Sequence, residues 1–275
     1  MRKIGITLAS LFLTIPLFGA ACPNGGTLQQ YIDLSVGSGG CDVGSDFVMT
    51  NWAYVNVSLF TNPVTPGDII VSYGFDGNGV PQVNFAANWL ADANLLTADG
   101  VGVLAFSLEA RSTTFKFSSV DLIATGSVTG PFLGVVPSAA ASVTEVNCIG
   151  GLADLRDSNN LLILTPPANL GDIACNGGGL QAGSSVTLAP GTNVTANALI
   201  NLGPGDNFID TIKIITVSDL LNVGVDGRAQ ITSVSQNFAG SDPAVPEPGA
   251  MVLTGLGLGA LGLVQRRRRA RARIE

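Results

Sequence analysis

The sequence contains no histidine among its 275 residues. Histidine is the usual general base of nucleophilic triads and the commonest protein ligand for metals. Its absence excludes Ser–His–Asp catalysis, Cys–His catalysis and any metal site built on imidazole. Paired carboxylates and Ser–Lys arrangements stay open as catalytic devices, but the sequence favours a protein without enzymatic activity.

Charged residues are also scarce, at 12% of the chain, and few basic residues lie between the two ends. Residues 22–248 hold nineteen of the 20 acidic side chains but only five of the 13 basic ones. Binding to nucleic acid depends on contacts from Lys and Arg to phosphate. The acidic body therefore argues against nucleic acid as a partner and is typical of a soluble domain outside the cell.

The N-terminus has the features of a secretory signal peptide. Two basic residues precede an apolar stretch over residues 4–18, and Gly19 and Ala21 are small residues at the positions that signal peptidase requires. Residues 1–21 are therefore predicted to be removed. Cys22 would then begin the mature chain, which leaves a lipoprotein as an alternative, although Gly19 stands where a lipobox has a large aliphatic residue.

All four cysteines lie after this cleavage site: Cys22, Cys41, Cys148 and Cys175. An even number of cysteines in an oxidising compartment predicts disulfides. Three pairings are possible, and we favour Cys22–Cys41 with Cys148–Cys175 because these pairs close short glycine-rich loops. No pair has the C-x-x-C spacing typical of zinc sites, so the cysteines predict no metal site.

The body of the chain is predicted to be all-β. Short runs rich in strand formers alternate with turns that contain Gly, Pro and Asp. The clearest runs are residues 69–73, 101–106, 115–123 and 211–214. Short strands separated by such turns indicate an antiparallel β-sandwich. Residues 89–98 and 154–160 are the segments predicted to be short helices.

The sandwich is expected to span residues 22–238, followed by a polar linker over residues 239–248. An alternative is two halves with a boundary near 150–175. This alternative rests on the similar segments that begin at Cys22 (CPNGGTLQ) and at Cys175 (CNGGGLQ), because a duplication would place one in each half. A single sandwich is the default prediction.

Two acidic clusters could hold calcium. Asp76 lies in an Asp-Gly-Asn-Gly turn, and Asp206 and Asn207 lie close to Asp210 in the sequence. Carboxylate and amide oxygens are calcium ligands, but neither cluster has the twelve-residue pattern of an EF-hand. Asp and Asn are also ordinary turn residues. We therefore expect hairpin turns at these places, with no bound metal or cofactor.

A glycoside hydrolase would require two carboxylates that converge on one cleft. Only three glutamates precede the terminal one: Glu109, Glu145 and Glu247. Glu109 ends an apolar run and Glu145 lies inside another, so each is expected to point to solvent from a strand. A secreted hydrolase is therefore the second alternative, after a binding module.

The C-terminus carries three elements that follow one another in the sequence. The first is a short motif made of Val245, Pro246, Glu247 and Pro248. The uncharged apolar residues 249–264 follow, and as a helix they would be about 24 Å long, close to the thickness of a bilayer core. The basic tail, residues 265–275, contains a membrane-stop cluster made of Arg266, Arg267, Arg268 and Arg269. Because positive charge stays in the cytoplasm, the predicted transmembrane helix would leave the β domain outside.

Together these elements resemble the PEP-CTERM sorting signal of exported proteins in Gram-negative bacteria. The resemblance covers residues 245–269, with Gly249 in place of the usual small polar residue. It implies recognition by a membrane-embedded exosortase, cleavage near the motif, and association with exopolysaccharide or biofilm. The chain would be anchored transiently in the inner membrane by residues 249–264 and would reach the cell surface or the extracellular matrix.

The sequence thus favours a non-enzymatic exported protein of the cell surface or matrix. A carbohydrate-binding or adhesive module is the first alternative, and it would need exposed aromatic rings. The candidate rings are Trp52, Tyr54, Tyr73 and Trp89. Aromatic side chains in such a domain are more often part of the core, so burial is expected for all four.

Overall fold

The computed structural model describes the greater part of the predicted β domain. The described residues are 19–56, 63–92, 99–130, 132–133, 136–137, 139–151, 175, 180–203, 205–219 and 227–241. Most of them lie in β-strands, and one α-helix, α1 (Leu28–Ser38), lies near the N-terminal end. Within this part of the chain, no helix is long and apolar enough to cross a membrane. The all-β class predicted from the sequence is confirmed.

Among the described residues, the first sheet contains six strands, each antiparallel to its neighbours. With strands numbered along the chain, their spatial order is β1 (Gly26–Thr27), β4 (Ile70–Phe75), β5 (Pro81–Asp92), β14 (Arg228–Ser241), β7 (Lys116–Thr129) and β12 (Gly191–Asn201). A single 3-10 turn, Pro66–Asp68, leads into β4. The sheet is therefore assembled from strands that are distant in sequence.

The second sheet also has six antiparallel strands in the part of the chain that the structure describes. Their spatial order is β11 (Leu180–Thr187), β10 (Ala139–Ile149), β13 (Phe208–Asp219), β6 (Asp99–Ala110), β3 (Phe47–Asn56) and β2 (Cys41–Val43). A separate two-stranded hairpin is formed by β8 (Phe132–Leu133) and β9 (Val136–Pro137). Strands from before residue 150 and after residue 175 share both large sheets, since β12 pairs with β7 and β11 pairs with β10.

The main core lies between the two sheets and is rich in aromatic rings. Trp52 stacks on Phe106 with ring centroids 4.8 Å apart, and Phe85 packs against both rings. A smaller apolar cluster covers the outer face of the second sheet and includes Cys148 and Ile212. Alternate residues of β13 therefore contact two different apolar layers, as the two-residue period of a strand requires.

The helix predicted over residues 89–98 is wrong for its first four residues, because Trp89 to Asp92 form the end of β5. These residues pair with the beginning of β14, and Trp89 and Ala91 are buried while their neighbours are less so. That alternation is the period of a strand. Residues 93–98 and the helix predicted over 154–160 lie outside the described residues.

The helix α1 is an element that the sequence pattern did not predict. Thr27 and Gln30 form a capping box in which the Thr27 backbone N–H donates to Gln30 Oε1 at 2.9 Å. The helix ends before Gly39, whose φ of 75° is in the left-handed region that favours glycine. Only Leu28 and Tyr31 of the helix are buried, so its apolar face is short.

Two disulfides join Cys22 to Cys41 and Cys148 to Cys175, which are the pairings that the sequence favours. The first encloses α1 and ties the start of the domain to β2. A lipoprotein would carry its lipid on the Cys22 sulfur, so this disulfide counts against that alternative. The second disulfide lies in the outer apolar cluster of the second sheet.

Candidate functional site

The four aromatic candidates do not form an exposed platform. Trp52 and Trp89 are 4% and 3% exposed, respectively. Tyr54 is half-buried beside Trp89, whose Nε1 donates to the Tyr54 hydroxyl at 3.4 Å, and burial raises the pKa of Tyr54 to about 12. Tyr73 is also half-buried and donates to the carbonyl oxygen of Cys22 at 3.2 Å. The expected burial is therefore complete for the tryptophans and partial for the tyrosines.

The two glutamates of the β domain lie on opposite faces of the second sheet. Glu109 is exposed at the end of β6 and follows Leu108, which points into the main core. Glu145 is fully buried on the inner face of β10, so the prediction that it points to solvent is wrong. The physical reason is its cross-strand neighbour Lys213, which supplies a buried positive partner. The two carboxylates cannot converge on one cleft across a sheet.

The side chains that could bind calcium form hydrogen bonds or ion pairs with other protein groups. The Asp76 carboxylate accepts from the backbone N–H groups of Asn78 and Val80, both at 2.8 Å, and so closes a hairpin turn. Asp206 pairs with Lys116 at 3.0 Å, and this contact lowers the pKa of the Asp206 carboxyl. Asp210 accepts from the hydroxyl of a serine on β6. In the part of the chain that the structure describes, no group of three acidic or cysteine residues could hold a metal ion.

An open pocket of about 400 Å³ lies at one end of the sandwich. Its lining mixes polar and aromatic groups: Asp46, Phe47, Asn78, Gly79, Ala110, Ser112, Phe115, Gly240 and Ser241. Phe75 precedes the turn that contributes Asn78 and Gly79, is 46% exposed, and lies close enough to Gly44 that a side chain at that position would meet its ring. The sequence patterns did not single out Phe75, because its exposure depends on its place at the end of β4.

A second feature that the sequence did not predict is a buried polar cluster between the sheets. We define this cluster as Glu145, Asn147, Thr211, Lys213 and Gln236, all of which have no exposed surface. The first four come from β10 and β13, and Gln236 comes from β14 in the facing sheet. The one available signal in the sequence was that each of two strand-forming runs contains a single long charged side chain of opposite sign, Glu145 in one and Lys213 in the other.

Glu145 is the centre of the cluster. Its Oε2 contacts Lys213 Nζ, and its Oε1 accepts from Asn147 Nδ2 at 2.7 Å and from Gln236 Nε2 at 3.3 Å. The carbonyl oxygen of the Asn147 side chain accepts from Thr211 Oγ1 at 2.8 Å and from Gln236 Nε2 at 3.3 Å. Burial lowers the pKa of Lys213, although the contact with Glu145 opposes this effect.

The C-terminal signal residues lie outside the described residues, and so do residues 1–18 and 249–264. A family model of the PEP-CTERM protein-sorting motif matches residues 244–269. The chain carries a PEP-CTERM sorting motif. The matched residues begin just before Val245 and end at Arg269, so they include the four-residue motif, the apolar segment and the arginine cluster. A PEP-CTERM motif implies an exported protein that an exosortase sorts.

Three solved structures are similar to this chain over about two thirds of its length. The carbohydrate-binding module TmCBM61, in complex with β-1,4-galactotriose, has a TM-score of 0.31 and 10% identity, over 68% of this chain and 88% of that one. Tailspike protein 4 of bacteriophage CBA120 has a TM-score of 0.29 and 10% identity, over 69% of this chain and 20% of that one. The family 11 carbohydrate-binding module of Clostridium thermocellum has a TM-score of 0.22 and 10% identity, over 70% of this chain and 96% of that one.

These TM-scores and identities are too low to carry an argument about a ligand or an activity. A comparison with curated proteins gave no match. The PEP-CTERM motif is therefore the finding that bears on function.

Proposed function

We propose that this chain is a non-enzymatic protein of the cell surface or extracellular matrix, delivered there by its PEP-CTERM motif and an exosortase. The match over residues 244–269 is the observation that carries the proposal. The β domain supports it, because an acidic sandwich with two disulfides suits an oxidising compartment. The absence of histidine and the opposite placement of Glu109 and Glu145 support a role without catalysis.

In this proposal the C-terminal elements act in sequence. The arginine cluster stops transfer at the cytoplasmic face, and residues 249–264 hold the chain in the inner membrane. The two prolines on either side of Glu247 keep the motif extended, because proline disfavours helix both at its own position and at the residue before it. An extended motif at the membrane surface can enter the active-site groove of an exosortase, which then cleaves near residues 245–248.

The proposal is tested by following the full-length chain in a host that has an exosortase and in a matched strain that lacks it. We expect a shortened form on the surface of the first strain and a membrane-bound precursor in the second. Glu247→Gln should leave the precursor unprocessed in both strains. Glu109→Gln, which changes an exposed glutamate of the β domain, should be processed like the unmodified chain in the strain that has an exosortase. Identical processing of the unmodified chain in the two strains would contradict the proposal.

A second candidate function, glycan binding, is favoured by the exposed ring of Phe75, which lies three residues before Asn78 of the end pocket. Sugar sites combine an exposed ring with a few polar groups in a concave surface. Asp46 and Asn78 line the end pocket, and Phe75 at the end of β4 supplies an exposed ring on the strand that leads into the same turn. The probe is the exopolysaccharide of the exporting host. Phe75→Ala should weaken binding by about tenfold or more, while Leu199→Ala, which truncates a 64% exposed side chain on β12, should not. Equal binding by both variants would remove this candidate.

A further inference from the structure

Four residues of the buried polar cluster lie on the inner face of two adjacent strands, β10 and β13. Glu145 is directly opposite Lys213, and Asn147 is directly opposite Thr211. Asn147 and Lys213 are therefore diagonal neighbours on one face. Diagonal neighbours in an antiparallel pair lie about 7–8 Å apart, a distance that long side chains can bridge. The Lys213 amine can thus approach the Asn147 carboxamide without any change in strand register.

The hydrogen bonds of Asn147 are those of an activated amide. Its side-chain carbonyl oxygen accepts from Thr211 Oγ1 and Gln236 Nε2, at 2.8 Å and 3.3 Å. Two donors on one carbonyl oxygen withdraw electrons from the carbon and stabilise the negative charge that develops on oxygen during nucleophilic attack. Donors of this kind are most effective where water is excluded, and all three residues are fully buried.

Glu145 touches both the amine and the amide nitrogen. One carboxylate oxygen contacts Lys213 Nζ, and the other accepts from Asn147 Nδ2 at 2.7 Å. A proton released by the amine can therefore pass to the amide nitrogen through a single carboxyl group. Burial also favours the uncharged amine, which is the nucleophilic form, because it lowers the pKa of Lys213.

We propose that Lys213 and Asn147 join in an intramolecular isopeptide bond, with Glu145 as the catalytic acid and base. The Lys213 ammonium first gives one proton to the Glu145 carboxylate. The neutral Nζ then attacks Asn147 Cγ to form a new C–N bond, and a second proton moves from Nζ through Glu145 to Nδ2. The bond between Cγ and Nδ2 breaks, ammonia leaves, and Glu145 remains as a carboxylic acid. No oxidant, metal or cofactor takes part.

The bond would connect two neighbouring strands in the middle of the second sheet. It also removes the charge of Lys213. The desolvation free energy of a buried ion pair, which the attraction between the charges only partly offsets, is then no longer incurred. The reaction needs no external enzyme, because the two strands hold the amine and the amide together at a high effective concentration. The bond should therefore form only after the sheets have assembled.

The test is peptide mass spectrometry of the exported full-length chain, which does not depend on where its ends are processed. After reduction of the Cys148–Cys175 disulfide, trypsin should fail to cut after Lys213. Residues 117–156 and 157–228 should appear as one branched peptide that lacks the mass of one ammonia molecule. Cleavage after Lys116, whose ammonium is exposed and paired with Asp206, is the internal control for trypsin.

Two variants test the assigned roles in the same digest. Glu145→Gln preserves the size and hydrogen-bonding capacity of the side chain but cannot transfer the protons, so we expect separate peptides and normal cleavage after Lys213. Asn147→Ala removes the electrophile and should give the same result. The measurement on the unmodified chain decides the proposal by itself: separate peptides with an unmodified Lys213 would overturn it, even if a variant does not fold. A branched peptide in Glu145→Gln would overturn the role of Glu145.

Discussion

Glu145 and Lys213 are cross-strand neighbours on β10 and β13, and their side chains meet between the two sheets with no exposed surface. An ionisable pair in this position is costly to build, because both groups lose their hydration. It is far more costly to leave one member alone in the core. The stability of the domain should therefore respond differently when one partner or both are replaced.

Lys213→Met should lower the free energy of unfolding by at least about 3–5 kcal/mol, because it leaves the Glu145 carboxylate buried without a cation and also removes the proposed bond to Asn147. The double variant Glu145→Gln/Lys213→Met should be more stable than Lys213→Met, since the glutamine that replaces Glu145 carries no charge and still offers an acceptor to Asn147. Neither variant has the Lys213 amine, so the comparison isolates the buried charge. Denaturant unfolding measures both, and equal stability of the two variants would contradict this assignment.

Trp52→Ala should cost about 3–5 kcal/mol of unfolding free energy, because Trp52 fills the space between Tyr31, Phe85 and Phe106 in the core. Phe75→Ala should cost less than about 1 kcal/mol, since this ring is already half exposed. Thermal and denaturant unfolding of the two variants provide the comparison. A loss for Phe75→Ala as large as that for Trp52→Ala would show that the exposed ring also belongs to the core.

Replacing Cys22 and Cys41 together with serine should lower the stability of the domain by about 2–4 kcal/mol, because the disulfide closes a loop with a sequence separation of 19. The unmodified protein should lose more than this amount when it is unfolded under reducing conditions, because both disulfides are then broken, and the serine variant should lose only the contribution of Cys148–Cys175. Non-reducing peptide mapping checks the pairing directly. A peptide that joins Cys22 to Cys148 or Cys175 would contradict it.

The Asp206 carboxylate should contribute stability that disappears in acid. Its pKa is lowered from the ordinary value of 3.8 by the hydrogen bond from Lys116 Nζ, at 3.0 Å, and by the backbone N–H of Asn207. A carboxyl with a lowered folded-state pKa stabilises the fold above its unfolded pKa, and the gain is lost as pH falls through the folded value. Asp206→Asn should therefore be less stable than the unmodified protein near neutral pH.

This difference should shrink as the pH falls below 3.8, the ordinary pKa of the carboxyl. Thermal unfolding of both proteins across this range measures the effect. The pair is largely exposed, so the difference at neutral pH should also decrease in high salt. A constant difference between the two proteins at all pH values would rule out the Asp206 carboxylate as its source.

The sandwich could be predicted because strand-forming runs and turn residues are local signals. The runs at 69–73 and 115–123 fall within or beside β4 and β7, and the turn around Asp76 lies between β4 and β5. The helix expected over 89–98 was wrong at Trp89 to Asp92, because the strand there depends on contacts that are not local. The pairing of Trp89 with Ile231 on β14 is a long-range contact, and such contacts override weak local preference.

The buried polar cluster could not be predicted, because the alternation around Lys213 does not say which face of the strand points into the core. Ile212 and Ile214 alternate with Thr211 and Lys213, and charged side chains are almost always exposed, so the isoleucines would be placed inside. In the structure Ile212 packs in the outer cluster of the second sheet, beside Cys148, and Lys213 points into the main core. Only the facing sheet, with Gln236, and the partner Glu145 make this orientation possible.

The most direct test of the central claim is the identity of the C-terminal residue of the exported protein, read by mass spectrometry of the surface fraction. An exosortase-sorted protein should end at or near residues 245–248, and peptides from 249–275 should be absent from that fraction in a host with an exosortase. The same peptides should be recovered with the membranes of a strain without one. A surface form that still ends at Glu275 in the exosortase-containing host would contradict the account.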